Sequence, residues 1–352
     1  MSLDKETLQV LRIVDSNLNR LAEGLRVLED IARMVLDDTA ITGQLKTLRH
    51  DLIRGGLAFN TALLQARDSE EDVGISLEVS GEAKNKDLPG LLVANARRAQ
   101  ESLRVLEETA KMPGLDLDPD KFKQARFSLY TIEKNLLSRL LRQDKIKRVS
   151  GLYVIIDTPS LNGLTHIEAA RNMIRAGVKV IQLRDKVTPK KDLLPIARGL
   201  QELCKASDVL FIINDYIDLA IAADADGVHV GLNDLPLAEA RKQMPIDKII
   251  GVSAETPEQA IEAEKAGADY IGFGAVYPTG TKQDIQVAGI EALREVRKKV
   301  KIPLVAIGGI NKNNIKEVMA AGAEAAAVIS AVLRTGDPEA AAKELIRIMK
   351  NE

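Results

Sequence analysis

From Gly151 onward, short apolar runs alternate with amphipathic segments, and this alternation constrains the fold more than any other feature of the 352-residue chain. The runs are LYVIID, VKVIQL, VLFII, GVHV, KIIGV, YIGFG, PLVAIG and AAAVIS. Each has the length and β-branched content of a buried strand. Between them, segments such as 167–176, 193–206, 257–266, 289–300, 314–321 and 338–350 carry helical periodicity. Strands joined through helices run parallel and, with right-handed crossovers, lie side by side. Eight βα units in about 200 residues predict an α/β fold, a compact TIM (β/α)8 barrel near the lower size limit of that architecture. A doubly wound open sheet is the alternative, but the first strand is not followed by a Gly-rich dinucleotide loop.

Up to about Arg142 the apolar residues recur at helical spacing instead, as in Leu18, Leu21, Leu25 and Leu28. This half also repeats itself: NLNRLAEGLRVLEDIARM (17–34) returns as NARRAQESLRVLEETAKM (95–112). Lys46 and Arg49 are answered by Lys123 and Arg126 in the helices that follow. The expectation is an all-α bundle of at least four helices over 1–146, built from a duplicated helical hairpin, ahead of a barrel over 147–352. QDKIKRVS (143–150) reads as a charged linker between them. The polar stretch between the repeats reads as a loop, in which Arg67, Asp72 and Gly74 are marked for function beside a purely solvated reading. Arg20, Glu23 and Arg26 match Arg98, Glu101 and Arg104, a pattern suited to reciprocal ion pairs between the repeats.

Lysine plus arginine number 49 and aspartate plus glutamate 51, so the net charge of −2 favours neither nucleic acid nor membrane as a partner. Small anionic substrates fit that balance, and self-association stays open. Cys204 is the one cysteine, which excludes an internal disulfide and points to a reducing, cytoplasmic setting. The N-terminus lacks the apolar core of a signal peptide, and no run is long enough to span a bilayer.

In a barrel of this kind every βα loop lies at one face, so the active-site end can be read from the strand ends. Asp215 and Asp234 close two successive strands of a βαβ unit and therefore sit at that face. Paired carboxylates there suit Mg2+ shared with phosphate oxygens; the plain alternative is that each caps the helix after it. Around them the strand ends supply Gln182, Arg184, Lys186, Asn214 and Ser253, and YPTGTKQD adds Thr279, Thr281 and Lys282. The last two strands end in Gly308–Gly309 and Ile329–Ser330, where backbone amides can approach an anion closely. Two anion sites are implied. A cationic, metal-assisted one suits a diphosphate leaving group, and an amide-lined one suits a monophosphate. Of the histidines, His50 and His166 fall on helices and His229 within a strand, and none is placed as an acid or base.

Through QLRDK, INDYIDLAIAADADGVHVGLND, GVSAET, GADYIGFGAVYPTGTK, VAIGGI and AAVISAV, the barrel half resembles the thiamine phosphate synthase family. That resemblance implies condensation of hydroxymethylpyrimidine diphosphate with thiazole phosphate, giving thiamine phosphate and pyrophosphate. It implies that Gln182, Arg184, Lys186, Asn214, Ser253 and Lys282 bind the diphosphate substrate, with Arg184, Lys186, Asn214 and Lys282 carrying the catalytic load. Asp215 and Asp234 would hold Mg2+, and Thr279, Thr281, Gly309, Ile329 and Ser330 the thiazole phosphate. Two positions depart from the family pattern: Glu255 stands where His is usual and Leu232 where Gln is usual. A thiazole tautomerase-like barrel and a non-catalytic thiamine-responsive binding protein are the alternatives on the same scaffold. The helical half is similar to a domain fused to some members, and a role in handling a pyrimidine phosphate precursor is the expectation there.

Overall fold

A computed structural model describes residues 5–53, 57–67, 87–113, 115–279 and 287–350. The marked residues Asp72, Gly74, Thr281 and Lys282 lie outside the described residues. The chain divides into two compact units, Met1–Leu141 and Arg142–Glu352.

The first unit is helical: α1 (Lys5–Asp30), α2 (Thr39–Ile53), α3 (Leu57–Ala66), α4 (Leu88–Thr109) and α5 (Pro119–Arg148), the last running on into the second unit. A π-helical turn, Ile31–Val35, follows α1. The repeated helices α1 and α4 bury the leucines that define the repeat, Leu18, Leu21, Leu25 and Leu28 on one and Leu103 and Leu106 on the other, in one core. Gly24 permits the approach: a Cβ there would lie 2.9 Å from the Asn95 carbonyl oxygen.

Ion pairing in this unit differs from the cross-repeat expectation. Arg26 pairs with Glu29 and Asp30, and Arg104 with Glu107 and Glu108, each within its own helix. The helical i,i+3 and i,i+4 spacings bring these groups together before any distant partner can compete. Buried Glu29 and Glu107 also receive Arg49 and Arg126, which fasten α1 to α2 and α4 to α5 in the same way. Arg67 likewise grips Asp15 through two hydrogen bonds of 2.7 and 2.8 Å.

The second unit is a closed parallel barrel. Its strands are β1 (Gly151–Asp157), β2 (Val180–Arg184), β3 (Leu210–Asn214), β4 (Gly227–Val230), β5 (Ile249–Ala254), β6 (Tyr270–Phe273), β7 (Leu304–Ile307) and β8 (Ala325–Val328). β1 pairs with β8 as well as with β2, which rules out the open sheet. The helices are α6 (His166–Ala176), α7 (Lys190–Ala206), α8 (Ile217–Ala222), α9 (Leu237–Gln243), α10 (Pro257–Lys265), α11 (Ile290–Lys299), α12 (Ile315–Ala320), α13 (Ser330–Leu333) and α14 (Pro338–Met349). Local chemistry sets their ends. Thr165 and Glu168 form a capping box at the start of α6, and Gly177, at φ +91°, ends it.

Strand alternation sorts the side chains into two layers. Tyr153, Ile155, Leu210, Ile212, Tyr270 and Val305 fill the barrel interior, while Val154, Ile156, Phe211, Ile213 and Ile271 pack outward against the helices. The expected charged linker is instead the end of α5, which continues helical to Arg148. Its apolar members explain this: Ile146 packs against the interior cluster, and Val149 just beyond is buried within it. Arg142 reaches Asp269 at 3.0 Å and Lys145 reaches Asp247 at 3.2 Å. Among the described residues no helix is long and apolar enough to cross a membrane.

Candidate active site

A cavity of about 440 Å³ opens where the strands end in their βα loops. Gln182, Arg184, Asn214, Ser253, Thr279, Gly309, Ile329 and Ser330, all singled out from the sequence, line it. Glu255 lines it too, with its backbone N–H bonded to Gln259 at 2.8 Å. Lys186, Asp215 and Asp234 do not line the cavity, but they cluster with one another on the loops after β2, β3 and β4.

The cavity floor is a chain of hydrogen bonds that sequence reasoning missed. Gln182 Nε2 donates to the Tyr153 hydroxyl at 2.8 Å, which lies 3.1 Å from the Tyr270 hydroxyl. That hydroxyl in turn meets His229 Nδ1 at 3.1 Å, and His229 Nε2 meets Ser253 Oγ at 3.0 Å. Burial pushes both tyrosine hydroxyls well above their ordinary pKa, so the phenols stay neutral. Gly251 exists to admit this arrangement: a Cβ there would fall 2.0 Å from Tyr270 Cζ. The signal was available in the period of two, since Tyr153 precedes inward-facing Ile155 and His229 follows inward-facing Gly227. Choosing the inward face needed the strand register, which places Asn214 beside His229 and Ser253 beside Gly272.

Above the floor, Arg184 is held by Asp157, the last residue of β1, through a 2.5 Å ion pair. Asp157 is buried and also accepts from Ser160. The next residue, Asp185, accepts from the Thr158 and Thr188 hydroxyls and from the backbone N–H groups of Val187 and Thr188. Burial alone would raise its carboxyl, but those donors outweigh burial and hold it at about 2. The loop that carries Lys186 is thereby fastened to the segment after β1.

Lys186 Nζ lies 3.0 Å from Asp215 Oδ2. The Asp215 and Asp234 carboxyls are in hydrogen-bonding contact, and burial together with that contact pushes Asp215 up. Asp234 is held down, the pull of burial being outweighed by Asp215 and by the Gly231 N–H at 2.7 Å. Two touching carboxyls with one neighbouring ammonium are short of positive charge, which suits a hard divalent cation. Groups of three or more metal-ligating side chains are absent among the described residues.

The opposite end of the cavity is neutral. Gly308 and Gly309 take φ of +99° and +66°, a left-handed backbone suited to glycine. A Cβ on Gly309 would lie 2.5 Å from the Pro278 carbonyl oxygen. The N–H groups of Gly309, Ile310, Ile329, Ser330 and Ala331 find no acceptor among the described residues, and all these residues line the cavity. Backbone donors left unpaired at one wall are groups to which an anion could bind. Ile310 and Ala331 were not foreseen. The doublets around GG and IS pointed to the turns, whereas which amides stay unpaired depends on the turn geometry.

Comparison with known proteins agrees with this architecture. The family model described as thiamine monophosphate synthase matches residues 152–332, and that of the ThiD2 family matches residues 12–135. A thiamine-phosphate synthase of Synechococcus sp. (strain CC9311) is 39% identical over 351 residues, covering 97% of each chain. One of Synechocystis sp. (strain ATCC 27184 / PCC 6803 / Kazusa) is 40% identical over 340 residues, covering 96% of this chain and 95% of its own. Among solved structures, a thiamine phosphate pyrophosphorylase from Pyrococcus furiosus is 40% identical with a TM-score of 0.54, covering 60% of this chain and 98% of that one. With a barrel of matching fold, and relatives of matching length across both units, the chain belongs to the thiamine-phosphate synthase family of transferases.

Proposed function

We propose that the barrel condenses hydroxymethylpyrimidine diphosphate with thiazole phosphate to give thiamine phosphate and pyrophosphate. The observation that carries this reading is the asymmetry of the strand-end face: one side has a charged Lys–Asp–Asp cluster with Arg184 nearby in sequence, the other a wall of unpaired amides. The diphosphate belongs with the charges and the thiazole phosphate with the amides.

In the reaction, the bond between the pyrimidine methylene and its diphosphate oxygen breaks, and the electron pair leaves with pyrophosphate. The thiazole nitrogen donates its lone pair to that methylene and forms the new C–N bond. Arg184, oriented by Asp157, and Lys186 neutralise charge as it develops on the leaving oxygens. Mg2+ held by Asp215 and Asp234 would add Lewis-acid stabilisation of the same oxygens. Gln182, Asn214 and Ser253 bind and orient the pyrimidine side of the substrate, and the Tyr153–Tyr270–His229 chain fixes two of them, Gln182 and Ser253. Thr279, Gly309, Ile329 and Ser330 hold the thiazole phosphate. Thr281 and Lys282 join the two sets by resemblance. Pyrophosphate release by the full-length protein with Mg2+ and both substrates tests the reading. Release no greater than in controls lacking one substrate would overturn it.

The helical unit, in this proposal, handles a pyrimidine phosphate precursor for the barrel, since a tether raises the local concentration of a shared intermediate. Arg26 and Arg104 are taken up by their own helices, while Arg20 and Arg98, equivalent in the repeat, are exposed for an anion. Calorimetric titration with hydroxymethylpyrimidine phosphate should show binding that Arg20→Ala and Arg98→Ala both abolish. Binding unchanged in both variants would remove the arginines from the site.

A further inference from the structure

We infer that Asn311 and Asn314 are positioning residues for the amide-lined end of the cavity, acting through the Gly309 carbonyl. The inference rests on the reading of that end as a phosphate site. Asn311 Nδ2 and Asn314 Nδ2 each donate to the Gly309 oxygen at 3.0 Å. Their side-chain oxygens are used elsewhere: Asn311 Oδ1 accepts from Asn313 N at 3.0 Å, and Asn314 Oδ1 from Asn311 N at 2.8 Å. Turning either amide over would set oxygen against oxygen, so the network itself dictates the orientation.

A trans peptide is planar, with its C=O and N–H pointing in opposite directions. Drawing the Gly309 oxygen toward the start of α12 therefore sends the Ile310 N–H the other way. Ile310 lines the cavity, and its N–H has no acceptor among the described residues. With two successive glycines in left-handed backbone, the Gly309–Ile310 peptide would otherwise rotate at little cost. Two side-chain donors on its oxygen remove that freedom. A donor already aimed binds an anion better than one that must first be turned, because no reorganisation is left to oppose binding. Closure of the turn ahead of α12 accounts for the two side-chain oxygens, which accept from the N–H groups of Asn313 and Asn311. It does not account for two donors converging on a carbonyl that lies outside the helix, and that convergence marks the positioning role.

The test uses Asn314→Asp in the full-length protein. This change keeps the oxygen that accepts from Asn311 N and replaces the donor with a second oxygen, at a residue that does not line the cavity. Asn313→Asp is the control, placing the same charge on an exposed neighbour in the same turn. Thiazole phosphate affinity by calorimetry, and KM for both substrates, are measured at low salt and at about 0.5 M salt, where surface charge effects are screened. We expect about tenfold weaker thiazole phosphate binding in Asn314→Asp, the scale of one charge-assisted hydrogen bond. The loss should persist at high salt and leave KM for the diphosphate and affinity for the unphosphorylated thiazole alcohol unmoved. Asn311→Ser, which keeps an oxygen and loses the other donor, should behave alike and covers the case that Asn314→Asp melts early. Wild-type affinity in both donor-loss variants, an equal loss in Asn313→Asp, or a loss that disappears in salt would overturn the inference. A wild-type protein that binds the alcohol as tightly as the phosphate would remove the phosphate reading, and the inference with it.

Discussion

The hydroxyl chain under the cavity makes a quantitative prediction about barrel stability. Tyr270 is 0% exposed and Tyr153 1% exposed, so their hydroxyls have no water to fall back on. Tyr270→Phe removes the bonds to Tyr153 and to His229 Nδ1. Tyr153→Phe removes the bonds to Tyr270 and from Gln182, whose amide is itself buried. At a net value of about 1 kcal/mol per bond, plus the cost of a stranded polar neighbour, each single change should destabilise the barrel by about 2–3 kcal/mol. The double change loses the shared Tyr–Tyr bond only once, so it should fall short of the sum by about 1 kcal/mol. Native-state hydrogen exchange at the strand amides reads barrel opening separately from the helical unit. Strict additivity, within about 0.3 kcal/mol, would mean that the two hydroxyls do not interact and that the chain is not a unit. The same variants should raise KM for the diphosphate substrate, since Gln182 and Ser253 hang from the two ends of the chain.

Asp215→Asn and Asp234→Asn should each raise the Mg2+ concentration needed for half-maximal pyrophosphate release and lower turnover by about tenfold or more, without lowering the melting temperature. Unchanged magnesium dependence in both would leave these residues as simple caps. Gly309→Val must take a left-handed backbone and drive a side chain toward the Pro278 carbonyl; it should raise KM for thiazole phosphate far more than KM for the diphosphate, and equal effects would indicate general damage. Asp185, held at about 2 in the fold, is a depressed carboxylate. Its contribution of about 2 kcal/mol is therefore complete above the unfolded value near pH 4 and fades as pH falls toward 2. Asp185→Asn should flatten that part of the acid stability curve, and a curve identical to wild type would contradict the assigned donors.

Much of this was legible because the barrel repeats a simple physical pattern. Each strand is an apolar run, each βα loop lies at one face, and the polar residues at strand ends fall there whatever the details. Gln182, Arg184, Asn214 and Ser253 were found on that basis alone, and all line the cavity. Tyr153, Tyr270 and His229 were not, because each sits inside an apolar run where an aromatic or a histidine looks like core. Their hydroxyl and imidazole groups become a chain only when β1, β4 and β6 are brought across the barrel from one another, and that distance is not written in any local spacing. Asp157 and Asp185 were passed over for a related reason. A carboxylate at a turn is common, and only the closed barrel shows that one holds Arg184 and the other holds the loop of Lys186.

The repeat in the helical unit was equally plain, yet its charges behaved differently from the expectation, and the reason bears on function. Duplication suggested pairs running from one copy to the other. A helix offers Arg26 a carboxylate three residues away, however, and Arg49 reaches the same buried Glu29 from the neighbouring helix. Each copy thus satisfies its buried glutamate internally, and Glu107 is treated alike by Arg104 and Arg126. The copies have also diverged around this shared device: the first follows Arg49 with His50, whereas the second follows Arg126 with Phe127 and, four residues after the arginine, Tyr130. The Arg126 guanidinium lies 5.1 Å from the Phe127 ring centre and 5.9 Å from that of Tyr130. A duplicated scaffold that neutralises its own buried charges leaves its exposed arginines available, so binding by this unit should depend on Arg20 and Arg98 rather than on Arg26 and Arg104.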